Sequence, residues 1–214
     1  MEHSYFYCER NSSSFLAEPL NFFTNLLFIA FSILLLKNNN LSNKSLPLIL
    51  FGIGLGSMLF HSIPNNLTAF IDVLFIILFI IFFLVQLYKK LGISLYLSYV
   101  LAALFILSCY FFGNFFSETF LKESAFYFPI LLHLYFLIIY FSLSKDNRYY
   151  LKSFILIPIL FSLSLYFRTI DLKYCSIFPI GTHFFWHIIN SVMLYLSIRF
   201  VNLTPNRTSP KKPS

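Results

Sequence analysis

The sequence predicts an all-α protein: a seven-transmembrane helix bundle with the N-terminus outside and the C-terminus in the cytoplasm. Three observations carry that prediction. Of 214 residues, 58% are hydrophobic and only 11% charged, with Phe occurring 30 times, too little charge to keep a soluble domain of this size in solution. Apolar runs long enough to cross about 30 Å of hydrocarbon recur seven times. The basic residues, finally, divide unevenly between the two sides that seven crossings define.

The runs lie near 20–36, 46–62, 68–88, 93–112, 124–143, 150–168 and 180–201. Polar tracts cause the breaks between them. Asn38 to Lys44 separates the first two, Pro64-Asn65-Asn66 forms a tight turn, and Lys89-Lys90 closes the third run. Ser117 to Glu123, Lys145 to Arg148 and Arg168 to Lys173 divide the rest. Residues 20–201 thus read as one membrane domain, after an external segment over 1–19 and before a disordered cytoplasmic tail over 202–214 that carries Pro205, Pro210 and Pro213. Residues 1–18 carry Glu2, Glu9 and Glu18 and lack a basic start followed by an apolar core, so the first run is expected to be retained as a helix.

On the N-terminal side lie Arg10, Lys122, Arg168 and Lys173, and on the other side the remaining eleven of the 15 basic residues. The positive-inside rule sets the orientation from that imbalance. The net charge of +7 does not indicate a nucleic-acid partner, because these residues are scattered between apolar runs instead of gathering on one face. No glycine-rich phosphate loop is present.

Five polar residues interrupt the apolar runs: Ser57 and His61, Asp72, and His183 and His187. With this orientation all of them fall at one depth, toward the outer side. An ionisable group within a bilayer is costly and is usually kept for function. Residues four apart share a helix face, so His183 and His187 can bind one metal ion together with His61 from another helix. Three histidines with an open fourth position make a catalytic zinc site, and zinc brings the pKa of its bound water to about 7. In H-F-F-W-H, Phe184 stands where a metalloprotease helix carries its glutamate, so the base must come from elsewhere, and Asp72 is at the right depth. Ser57 can hydrogen-bond the substrate carbonyl or its oxyanion, and Gly52, Gly54 and Gly56 before it allow close helix approach.

Simpler readings exist for several of these positions. The H-x-x-x-H pair by itself also suits proton relay or haem ligation. His133 reads as an interhelical hydrogen-bonding residue, Trp186 as packing and His3 as a surface residue. Asn21, Asn25 and Asn190 fit interhelical hydrogen bonding or support of the metal ligands.

The motifs S-M-L-F-H (57–61), Asp72, G-T-H-F-F-W-H (181–187), Y-C-E-R-N (7–11) and A-E-P-L-N (17–21) together resemble the alkaline ceramidase family. That family belongs to a wider group of seven-span membrane hydrolases that includes adiponectin-receptor-like proteins. The resemblance covers essentially the whole chain. It implies that His61, His183 and His187 hold zinc, that Asp72 activates the zinc-bound water, and that Ser57 assists at the oxyanion. The implied reaction cleaves the N-acyl amide of ceramide-like lipids to a fatty acid and a sphingoid base. It also implies a calcium site, for which Glu9, Asn11 and Glu18 match part of the motif. The family's first acidic ligand aligns with Phe6, however, and the Asn11–Glu18 spacing is shortened. Glu9 and Glu18 read equally as part of a solvated segment. The resemblance further implies a tie between the N-terminal Cys8 and a later external loop, at Cys175, with Cys109 free.

The expected partner is a lipid substrate entering from the bilayer. A phospholipid ester hydrolase of the same site chemistry, and a non-enzymatic lipid receptor or transporter stabilised by metal, remain alternatives. The Asn-rich and Lys-rich tracts are compatible with an AT-rich bacterial genome, which would place the protein in the inner membrane.

Overall fold

The structure, a computed structural model, describes residues 7–119 and 121–203. The expected tail therefore lies outside the described residues from residue 204 onward, as does His3. Among the described residues the regular elements are all helical: α1 (Pro19–Thr24), α2 (Leu26–Leu36), α3 (Ser45–Ser62), α4 (Asn66–Lys90), α5 (Leu95–Phe115), α6 (Phe128–Leu143), α7 (Arg148–Phe154), α8 (Leu156–Ile170) and α9 (His183–Leu203), with 3-10 turns over Lys122–Tyr127 and Asp171–Lys173. They make seven stretches long and apolar enough to cross a membrane: Pro19–Leu36, Ser45–Ser62, Asn66–Lys90, Leu95–Phe115, Ser124–Leu143, Arg148–Lys173 and His183–Asn202.

Local chemistry explains where these stretches start and bend. Asn65 caps α4 through its side chain, accepting from Leu67 and Thr68 N–H, while the Thr68 hydroxyl takes the Asn65 N–H in return. This capping box starts the helix at Asn66, ahead of the 68 expected from hydropathy. Between α1 and α2 the ladder tightens to i→i−3 bonds, Asn25 N–H to Phe22 O at 3.3 Å and Phe28 N–H to Asn25 O at 3.1 Å. Between α7 and α8 the break at Ile155 follows from Pro158, whose ring crowds the carbonyl four residues back, that of Phe154. Pro129 sits in the first turn of α6, where its missing N–H costs nothing.

The bundle has two unlike ends. Residues 7–18 form a strap across the end where α3 finishes and α9 begins, and the polar residues collect beneath it. At the far end Phe141, Tyr150, Phe154 and Phe200 are fully buried and pack ring against ring, joining α6, α7 and α9. The Lys90 ammonium closes α4 over the Tyr150 and Phe200 rings, at 5.3 and 5.8 Å from their centroids.

Helix α3 is the seam that positions the site. A Cβ on Gly56 would lie 3.3 Å from both Asp72 Cα and Ile71 O, and one on Gly54 would lie 3.2 Å from Asn25 O. The backbones of α2 and α4 thus approach α3 directly, and the approach at Gly56 is what sets Ser57 beside Asp72. Gly56→Leu is expected to force α3 and α4 apart, destabilising the protein by about 1–3 kcal/mol. Thermal unfolding in detergent checks this, and a midpoint equal to wild type would contradict the close packing.

Candidate metal centre

Three buried imidazoles meet beneath the strap. The ligand nitrogens of His61, on α3, and of His183 and His187, on the first turns of α9, all lie within 4.8 Å of one another. Their ring centroids are 4.7–5.4 Å apart. Among the described residues this is the one such cluster of His, Cys, Asp and Glu.

Each histidine is held from outside the cluster. His61 Nδ1–H donates to Glu18 Oε2 at 2.5 Å, which leaves Nε2 with its lone pair toward the other rings. Thr24 Oγ1 stands 3.0 Å from His187 Nδ1, and its own proton goes to Leu20 O at 2.7 Å. The hydroxyl must therefore accept the Nδ1–H, so His187 also presents Nε2. His183 is fixed through its backbone: Asp171 Oδ1 accepts Thr182 N–H at 2.5 Å and His183 N–H at 2.9 Å, satisfying donors at the start of α9. Gly181, at φ +66°, makes the turn before it, and a Cβ there would collide with Asp171 Oδ1 and with Cys8. That turn is why the last helix begins at His183 and not at the 180 expected from hydropathy. The Tyr7 ring stacks on His183 with centroids 3.7 Å apart, and burial pushes its phenol up to about 12, so it remains protonated over the site.

The strap is tied down at several points. Cys8 and Cys175 form a disulfide, and Cys8 N–H donates to Asp171 Oδ2 at 3.1 Å. Arg10 pairs with Glu18 through Nε and donates from Nη2 to His61 O at 2.9 Å. Glu9 accepts Leu20 N–H at 2.6 Å and Asn21 N–H at 2.9 Å, closing the open end of α1. Burial raises the Glu9 carboxyl above its usual range. Burial acts on Glu18 in the same direction, but the hydrogen bonds and charges of His61 and Arg10 outweigh it and hold Glu18 below that range.

The other residues singled out in the sequence are placed as follows. Ser57 and Asp72 lie beside each other across α3 and α4, and Asp72 Oδ1 is buried without a partner. Both line a cavity of about 440 Å³, as do Tyr7, His183 and His187. That cavity continues past Trp186 and His133 to Phe83, Leu84, Met193 and Ser197. His133 Nε2 meets the Tyr88 hydroxyl at 3.3 Å, an interhelical contact, and Trp186 packs on Tyr127 and Phe161. Asn190 accepts from Ser164 across α8 and α9, whereas Asn25 bonds back to Asn21 O within its own stretch. Asn21 donates to Glu18 and so belongs to the support of His61. Asn11 is exposed, and Cys109 is free and buried.

A family model described as Ceramidase matches residues 4–213. The chain belongs to the ceramidase family. In a direct comparison, no curated protein matches it. Membership supports a ceramide-hydrolysing activity, and hence a hydrolase acting on amide bonds. Spacing along the chain marks the three histidines but not the groups that hold them: Glu18 reads there as an oxygen donor for calcium or as part of a solvated segment, and none of Thr24, Asp171 and Tyr7 is marked as a site residue. The one signal for Asp171 was an acid in the short link just before the paired histidines.

Of the three cysteines, one thiol is expected to react with a maleimide in unfolded, unreduced protein and all three after reduction. Three reacting thiols before reduction would exclude the Cys8–Cys175 bridge. Reduction is also expected to lower stability by about 2–5 kcal/mol, read as a fall in the unfolding midpoint.

Proposed function

We propose that this chain is an integral membrane zinc amidohydrolase that cleaves the N-acyl amide of ceramide-like lipids to a fatty acid and a sphingoid base. The observation that carries the reading is the His61–His183–His187 cluster, next to a carboxylate oxygen without a partner, at the head of an apolar cavity. The donor set fits zinc: three imidazoles, two of them with Nε2 freed by a hydrogen bond at Nδ1, and no fourth protein ligand in the cluster among the described residues. Zinc, when bound, would supply Lewis acidity and an ionised water at neutral pH.

The chain's own groups supply the rest. The Asp72 carboxylate takes a proton from the attacking water as the water oxygen adds to the amide carbon. The Ser57 hydroxyl, beside Asp72, donates to the carbonyl oxygen as it gains charge. Asp72 then returns the proton to the amide nitrogen as the C–N bond breaks, so the amine leaves neutral and the acyl group leaves as the fatty acid. The strap, with Tyr7 over His183, limits water from the end it covers. An acyl chain fits below: His183 and Ser197 are fourteen residues apart on α9, about 21 Å of helix, and both line the cavity. With the orientation set by the basic residues, the site faces the outer leaflet, where a lipid can enter sideways with its headgroup at the depth of the cluster.

Purified protein is expected to release fatty acid from ceramide, with the activity lost to a zinc chelator and restored by zinc. Asp72→Asn is expected to lower turnover by about 10²–10⁴-fold while retaining the metal, and His187→Ala to lose the metal itself. An active Asp72→Asn enzyme would remove Asp72 as the base. Saturable lipid binding without hydrolysis of any amide or ester would replace the enzyme with a receptor.

A further inference from the structure

We propose that Arg10 serves this chain as a built-in cation: it takes the place that a bound calcium ion would hold in the N-terminal segment and, through Glu18, positions His61. The inference rests on reading the three histidines as a metal centre.

Arg10 stands in a loop, yet its side chain is only 4% exposed and Glu18 beside it 2%. Its guanidinium divides between two targets that both belong to the support of His61. Nε pairs with Glu18 Oε1, and Nη2 donates to the main-chain oxygen of His61 at 2.9 Å. Nη1 reaches Ser12 O at 3.4 Å, holding the strap itself. The second oxygen of Glu18 accepts from His61 Nδ1 at 2.5 Å and from Asn21 Nδ2 at 3.1 Å. One arginine thus anchors His61 by its side chain, through a carboxylate, and directly by its backbone. A lysine reaches one of these acceptors at a time, whereas the planar fork of arginine reaches both.

The residues expected to hold calcium do not fit that ion. Calcium takes six to eight oxygens, many of them from carboxylates. Both Glu9 oxygens already accept backbone N–H groups of α1. Both Glu18 oxygens are committed to Arg10, His61 and Asn21, and Asn11 is exposed to solvent. The positive charge that balances Glu18 is therefore covalently part of the chain. Without it, a buried carboxylate would keep only the imidazole and amide donors, and His61 would lose the partner that fixes its tautomer and ring orientation.

The test compares wild type with Arg10→Met, Arg10→Lys and the double variant Arg10→Met/Glu18→Gln, in detergent. It measures zinc affinity by chelator competition, the visible spectrum of the cobalt(II)-loaded protein, and calcium uptake with calcium alone. Wild type is expected to bind one zinc per chain and no calcium up to millimolar concentration. Arg10→Met is expected to weaken zinc about 10–100-fold and to shift the cobalt bands. Arg10→Lys should fall between the two. The double variant should recover most of the affinity, since it leaves no unbalanced carboxylate. Calcium bound by wild type in this range would overturn the proposal, as would zinc affinity and cobalt bands unchanged in Arg10→Met. Wild type that takes up neither zinc nor cobalt would fail at an earlier step and overturn the metal centre together with this inference.

Discussion

The hydrogen bond from His61 to Glu18 joins two side chains that are 1% and 2% exposed, over 2.5 Å. Withdrawing a carboxylate this far from water costs several kcal/mol, and only close partners on its oxygens offset that cost. Arg10, Asn21 and His61 are those partners, and they come from the strap, from α1 and from α3. The same bond decides which nitrogen of His61 carries the proton. The geometry of the cluster and the docking of the strap are therefore one problem with one solution: anything that loosens the strap frees the His61 ring.

Asp171 has the matching role for α9. One of its oxygens satisfies the Thr182 and His183 N–H groups and the other accepts from Cys8 N–H, 163 residues away in sequence. The disulfide at Cys8 holds the strap against the loop whose turn at Gly181 aims His183. Two acids, Glu18 and Asp171, thus fasten the same strap to the two helices that carry the clustered histidines. On His61 and His187 a hydrogen-bond partner at Nδ1 keeps the imidazole from turning its lone pair away, while His183 is held through its backbone.

The helical stretches and the three histidines were legible in the sequence because both depend on spacing along one chain. Hydropathy placed the stretches to within a few residues; the departures have local causes, such as the Asn65 capping box and the turn at Gly181, to which a hydropathy average is blind. The spacing of His183 and His187 put both on one face of α9, as found. What spacing does not encode is a partner at long range. Glu18 and His61 are 43 residues apart, Thr24 and His187 are 163 apart, and no local pattern marks either pair. Glu18 was visible as an acid, but an acid near a chain terminus reads as solvated or as a cation ligand. Its actual role appears only when Arg10 and His61 are seen on either side of it.

The two ends of the bundle differ because they meet opposite demands. At the far end aromatic rings fill the space between α6, α7 and α9. Beneath the strap a set of buried polar groups has to be satisfied one by one, and the exceptions are informative. Asp72 Oδ1 and His183 Nδ1 are buried without partners, and both residues line the cavity. In a bundle that otherwise pairs its buried acids with such care, an unpaired carboxylate oxygen on a residue that lines the cavity marks a group held back for something that enters. From there the cavity runs on between apolar side chains of α4, α6, α8 and α9. A molecule matched to that space has one polar, hydrolysable group at its head and a long apolar chain behind it, which is the shape of an N-acylated lipid.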